Sequence, residues 1–270
     1  MTKLQEWENQ IVCGDCLELM KQLPDGCVDL VVTDPPYWDL HGYGGEGIGK
    51  NQNYEDYIES LWNVHKELFR ITADDGSYFL NIMDLRRNER ILRISHRMIH
   101  QAQREGWQLA DEITWFVPNK MSSPSDRFLV NKKETILHFV KTSHFFFEKS
   151  PIRISHSDWA KGDKRAWKYR RDGKCPGNVW VISAHHLPNP EHPAMFPIQI
   201  PRRCILGWSR PDSITLDPFI GSGRTAVAAK QLNRRFIGFE INESYCKIAR
   251  ERLKQEEMDF KPMSTLPMRD

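Results

Sequence analysis

The segment Ser213-Ile-Thr-Leu-Asp217-Pro218-Phe219-Ile-Gly221-Ser222-Gly223-Arg-Thr225-Ala226 decides how the rest of the chain is read. An apolar strand runs into a tight glycine turn, a good helix former covers 226–232, and a second strand over 235–240 ends on Glu240. Glycine at 221 and 223 permits the sharp turn and lets a ligand approach the backbone, while the following helix offers free N–H groups at its start. Glu240 stands 19 residues beyond Gly221, where a carboxylate can accept hydrogen bonds from both hydroxyls of a ribose. Taken alone, the G-x-G-x-x-A spacing is that of a dinucleotide site, so an NAD-dependent oxidoreductase stays open at this point. A turn serving chain reversal alone leaves the terminal acid without a role, and the whole unit favours an adenosine-bearing cofactor.

Working outward, short β-rich apolar runs recur at 11–13, 28–33, 78–83, 112–117, 135–140, 213–216 and 235–240, several of them separated by helical patterns. This alternation predicts an α/β fold with a largely parallel sheet. Over 54–69, Ile58, Leu61, Trp62, His65 and Leu68 share one helical face, and 91–104 repeats the habit with Ile94, Met98 and Ile99. Between 143 and 190 the chain is rich in His, Trp, Pro and charge with neither period, and it reads as an inserted, irregular region. Residues 1–142 and 191–254 are then two halves of one domain, and 255–270 reads as a polar tail.

The 270 residues, 40% apolar and 27% charged, suffice for a substantial core and exclude a small disulfide scaffold. A net charge of +2 gives no global preference for nucleic acid, so such a partner has to be argued from local patches. The opening MTKLQEWENQ has no apolar segment behind a basic start, and no stretch approaches the roughly 18 to 20 apolar residues of a membrane span. A soluble, cytoplasmic protein is expected. The six cysteines are too few for a disulfide framework and read as reduced thiols. Cys13 and Cys16 have the spacing of a metal or redox pair, but no second pair accompanies them, and no metal is expected.

The apolar run 28–33 delivers Asp34-Pro35-Pro36-Tyr37-Trp38 at its carboxyl end, where open α/β sheets keep their ligand crevices. Two prolines fix φ and supply no N–H groups, which leaves carbonyl oxygens for another partner. A carboxylate, free carbonyls and aromatic faces suit a planar heterocycle with an exocyclic amine: its N–H groups go to Asp34 and the Pro35 carbonyl, and its ring stacks on Tyr37. An ordinary strand-end turn would also use Asp and Pro, but not this density of special residues.

Thr33-Asp34-Pro35-Pro36-Tyr37-Trp38, together with the glycine segment, resembles the amino-group DNA methyltransferases, which modify N6 of adenine or N4 of cytosine with S-adenosyl-L-methionine. The resemblance covers about residues 11–253. It implies a Rossmann-like methyltransferase fold with a seven-stranded, mainly parallel sheet and target recognition in the 143–190 insertion, between the catalytic and cofactor motifs. Asp34, Pro35, Pro36 and Tyr37 are implied as catalytic residues. Asp217, Pro218, Phe219, Gly221, Ser222, Gly223, Thr225 and Glu240 are implied as cofactor-binding residues. Val12-Cys-Gly-Asp15-Cys is similar to the family's short G-D motif, with Asp15 near the adenine, and His192-Pro-Ala-Met-Phe196-Pro197 is similar to the segment flanking the methionine part.

An exocyclic amine is a poor nucleophile because its lone pair is conjugated with the ring. Hydrogen bonds to Asp34 and a proline carbonyl favour a pyramidal nitrogen. The rest is in-line positioning, worth on the order of 7 to 11 kcal/mol. No enzyme nucleophile is needed, so Cys175-Pro176, the reverse of the Pro-Cys order of carbon-5 methylation, reads as incidental. The base would be flipped out of a duplex against Tyr37 and Trp38.

Double-stranded DNA is therefore the implied partner, with a cognate restriction endonuclease as a further one; monomer and homodimer both stay open. Phosphate contacts are expected from 161–174, which carries Lys161, Lys164, Arg165, Lys168, Arg170, Arg171 and Lys174 against two acids, with Trp167 and Tyr169 interleaved. Asp at the start of the tetrapeptide favours adenine, whereas 38–44 is similar to cytosine-N4 members, which carry Ser in place of Asp34. Gly44 to Asn51 nearly spells a phosphate loop, but Asn51 replaces the hydroxyl residue that holds magnesium, so a flap beside Asp34 is the better reading. His185, His186 and His192 lack zinc spacing.

Overall fold

The computed structural model describes residues 2–38, 47–120, 127–154, 173–184 and 196–259. In chain order the first half runs α1 (Lys3–Trp7), β1 (Gln10–Cys13), α2 (Cys16–Met20), β2 (Val28–Thr33), α3 (Tyr54–Ile71), β3 (Thr72–Ile82), β4 (Leu85–Arg87), β5 (Arg90–Leu92) and α4 (Ile94–Glu105). The second half runs β6 (Gln108–Phe116), β7 (Lys133–Val140), β8 (Val179–Val181), α5 (Gln199–Trp208), β9 (Ile214–Asp217), α6 (Arg224–Gln231), β10 (Arg235–Glu240) and α7 (Glu243–Asp259).

All seven apolar runs become strands of one sheet, ordered β1-β10-β9-β2-β3-β7-β6-β8. The sheet has one strand more than the seven implied: β8, from the 143–190 region, pairs parallel with β6. β7 alone runs against its neighbours β3 and β6. The central strands are apolar on both faces because both are covered. On one side Leu61, Leu68, Ile94 and Met98 of α3 and α4 pack over Val31, Leu80 and Phe139. On the other, Ile200, Ile205, Ala228 and Ala249 of α5, α6 and α7 pack over Leu30, Val32 and Phe79, joined by Ile152 and Trp180 from the insertion. His65 is part of this core: burial pushes its pKa down to about 3, so the ring is neutral, 3.3 Å from the Tyr78 hydroxyl.

Three local differences from the sequence reading have physical causes. The helix expected from residue 91 starts at Ile94, because 85–92 turns back on itself as a β4–β5 hairpin across Asn88 and Glu89, both at positive φ. Helix α5 is disguised in the sequence by Pro201, which its first turn tolerates. Helix α7 continues past Lys254, the last residue before the expected tail, to Asp259. No helix among the described residues is long and apolar enough to cross a membrane.

Candidate functional site

Strands β1, β10, β9 and β2 are adjacent and parallel, so their carboxyl ends lie along one edge of the sheet. That edge collects acids from remote parts of the chain: Asp15 just beyond β1, Glu240 ending β10, Asp217 ending β9, and Asp34 just beyond β2. Cys13 is registered against Glu240, and the Gly14 N–H donates to the Glu240 carbonyl at 2.8 Å.

The glycine turn takes the backbone that its residues permit. Gly221 has φ 49° and Gly223 φ 87°, and a Cβ on Gly223 would lie 3.0 Å from the Ala249 Cβ. A Cβ on Gly221 would meet nothing closer than 3.9 Å, so that face is open to a ligand. Glu240 accepts the Gly221 N–H at 3.0 Å and the Asn242 N–H at 2.9 Å, and burial raises its pKa. Asp15 is exposed and caps α2 through Leu17 and Glu18. Ser222 is half-buried, with its carbonyl held by Arg252. Phe219 is half-buried, as is Phe196, which meets the edge of Trp115 at 6.4 Å.

Asp217 has a different position from Glu240. Its buried carboxylate accepts from the Thr33 hydroxyl at 2.6 Å, the Thr225 hydroxyl at 2.7 Å and the Phe219 N–H at 3.0 Å. Burial raises its pKa to about 6, against the pull of those donors. Asp217, Thr225 and the buried Pro218 thus lie beneath the turn as its anchor, and Thr33 ties that anchor to β2, the strand that carries Asp34.

Around Asp34 the structure adds two residues that the sequence reading missed. The Tyr37 hydroxyl lies 2.9 Å from Asp34 Oδ1 and 2.9 Å from Glu134 Oε2. The Asn81 amide donates to Asp34 at 3.1 Å and to Glu134 at 2.9 Å. Lys120 pairs with the other Glu134 oxygen at 3.0 Å. Burial first, and the nearby Glu134 charge second, push the Asp34 carboxyl up to about 8. The Pro36 carbonyl accepts from the Tyr57 hydroxyl at 3.1 Å, so of the two proline carbonyls it is Pro36 that serves the fold.

The open stacking face expected of Tyr37 is not present in this structure. Tyr37 is 6% exposed, because its hydroxyl is drawn in between β2 and β7. Trp38 is half-buried, its indole N–H donating to Gln52 and its ring meeting the edge of Tyr54 at 5.3 Å. The described end of the glycine-rich segment lies against this turn: a Cβ on Gly49 would stand 3.1 Å from the Tyr37 carbonyl.

Of the basic segment, Lys161, Lys164, Arg165, Lys168, Arg170 and Arg171 lie outside the described residues, as do His185, His186 and His192. Lys174 is exposed and bridges to Ile154. Cys13 has its donor atom within 4.8 Å of those of Glu243 and Cys246; burial raises both thiols, Cys246 to about 12, so neither is a ready thiolate.

A family model described as DNA methylase, of the N6 and N4 type, matches residues 28–251, and the chain belongs to that family. The type II methyltransferase M.SmaI of Serratia marcescens is 32% identical over 90% of this chain and 90% of its own. The PvuII DNA methyltransferase, described as cytosine-N4-specific, shares the fold with a TM-score of 0.71 at 22% identity, over 90% of this chain and 85% of that one. A Thermus thermophilus protein solved with S-adenosyl-L-methionine has a TM-score of 0.67 at 25% identity, over 93% of this chain and 97% of that one. The site suits that cofactor: the open face at Gly221 offers room for an adenosine beside Glu240, whose carboxylate can accept from its hydroxyls.

Proposed function

We propose that this chain is a type II DNA methyltransferase that moves a methyl group from S-adenosyl-L-methionine to an exocyclic amine of a flipped base, with N6 of adenine as target. The observation that carries this reading is the 2.6 Å Thr33–Asp217 hydrogen bond, which holds the Asp34 turn and the glycine turn side by side on one sheet edge. When bound, S-adenosyl-L-methionine supplies an electrophilic methyl on a sulfonium. Asp15 and Glu240 would hold its adenosine, and the Gly221–Gly223 backbone would border it.

Asp34, as a carboxylate, accepts one amine N–H and the Pro35 carbonyl the other. This frees the nitrogen lone pair and aims it along the transfer axis. Asp34 then takes the proton that the methylated nitrogen releases. Stacking of the flipped base requires Tyr37 or Trp38 to be uncovered as the base enters. Residues 1–142 and 191–254 form the catalytic domain in this reading, and 143–190 reads the target.

Asp34→Ala is expected to abolish transfer of labelled methyl to unmethylated DNA while retaining much of the cofactor affinity. Near-normal turnover by that variant overturns the assignment. Methylation of cytosine N4 is the second reading, supported by the 38–44 segment and by the cytosine-N4-specific enzyme that shares the fold. Mass analysis of nucleosides from methylated DNA separates the two.

A further inference from the structure

The β4–β5 hairpin is mostly exposed beyond its first residue, Leu85. Its strands are three residues each, and Arg86, Arg87, Arg90 and Ile91 are exposed. Asn88 and Glu89 turn the chain with φ of 47° and 63°, the two-residue turn whose twist suits a tight ribbon. Its base is pinned: Asp84 accepts from the Ser95 N–H and hydroxyl, both at 2.9 Å, and pairs with Arg93 at 3.2 Å. Leu85, half-buried, packs on the main core. The ribbon is therefore a short exposed arm with a fixed root.

Its placement and charge point one way. The ribbon begins four residues after Asn81, which bonds Asp34, and the Arg87 guanidinium lies 5.6 Å from the Trp38 ring centre, one residue from Tyr37. Between 84 and 97 the chain carries five arginines and two acids. Arg87 and Arg90 face each other in register beside the tip, while Arg86 lies 4.0 Å over the Phe128 ring. Contacts of exposed arginines are weak and exchangeable. Guanidinium groups bind phosphate through paired N–H groups, and a two-stranded ribbon fits a DNA groove.

We infer that the β4–β5 ribbon is a DNA-gripping arm, in which Arg86, Arg87 and Arg90 hold the phosphates beside the target base. This rests on the DNA reading above and adds a second basic element, built on the catalytic edge itself, to the 161–174 segment.

The test uses the full chain. Wild type, R86Q/R87Q/R90Q, R86K/R87K/R90K and the single R90Q are titrated with a labelled random-sequence duplex over a range of salt, and S-adenosyl-L-methionine affinity is measured alongside. The plot of log affinity against log salt is expected to flatten by about 0.9 for each phosphate that is no longer held. The triple Gln variant should then bind the duplex at least tenfold more weakly, with cofactor affinity kept, and the Lys variant should restore the slope. R90Q alone should flatten it by about 0.9, which decides the matter if the triple variant fails to fold. Unchanged slope and affinity in both Gln variants overturn the arm and leave the methyltransferase reading standing. A wild type that neither binds duplex nor methylates DNA overturns that reading and the arm with it.

Discussion

Asp34 and Glu134 share two donors, the Tyr37 hydroxyl and the Asn81 amide, so two carboxyl groups from opposite-running strands meet at the reacting edge. Lys120 balances Glu134 at 3.0 Å, whereas the Asp34 carboxyl is pushed up to about 8, by burial and then by Glu134. Asp217 adds a smaller push in the same direction.

Turnover should follow the ionisation of Asp34. Asp34 must be ionised to accept an amine hydrogen, so kcat/KM should rise as pH increases through about 8. Glu134→Gln removes a negative charge and should move that midpoint down, by on the order of one pH unit. A profile measured for both proteins that shows the same midpoint removes Glu134 from this role.

Stability should carry the opposite sign. An unfolded Asp loses its proton near pH 4, whereas folded Asp34 keeps its proton to about 8. Between those values the folded state binds more protons, so this group makes the fold less stable as pH rises. Asp34→Asn abolishes that dependence. Thermal melts should show the variant gaining on wild type from pH 4 to pH 8, by about 2 to 4 °C per kcal/mol. A constant difference across that range would falsify the linkage.

The Asp217 anchor should be costly to disturb. Thr33→Val keeps the shape of the side chain and deletes the donor 2.6 Å from Asp217. A loss of about 1.5 to 3 kcal/mol is expected for a hydrogen bond to a charged, buried group. Chemical denaturation reads the stability, and calorimetric titration of S-adenosyl-L-methionine reads the turn above; both should weaken together.

Gly223 is confined by conformation and by space at once. Gly223→Ala sets a Cβ 3.0 Å from that of Ala249 at φ 87°, and should cost about 1 to 3 kcal/mol. Adding Ala249→Gly removes the 3.0 Å contact and leaves both the Cα of residue 249, 3.1 Å from the new Cβ, and the backbone strain. Partial recovery in the double variant is expected, and full recovery would mean that φ at 223 matters little.

Much of this architecture is written in local patterns. Each of the seven readable strands is an apolar run, the central ones covered by helices on both faces, and the acids at the ends of the parallel strands follow from their pairing. β8 gives no such signal, because Val179 and Val181 face outward at 59% and 53% exposure. The hairpin is masked by Ile91 and Leu92, which fall in phase with the helix behind them. Glu134 escapes for a topological reason: β7 runs backward, so its first residues, beside Lys133, reach the edge where other strands present their last. Asn81 is one polar residue in the long strand β3, and only its contacts distinguish it. The stacking role of Tyr37 rests on composition, which does not report that a ring has been folded inward.

The Thr33–Asp217 bond joins neighbours in the sheet whose positions in the chain are 184 residues apart. Nothing in that contact depends on which motif is synthesised first. The first strand and the last helix also meet, Arg250 of α7 donating to the Ile11 carbonyl of β1. The assembled edge thus depends on which strands are neighbours in the sheet and not on the order of the two motifs along the chain.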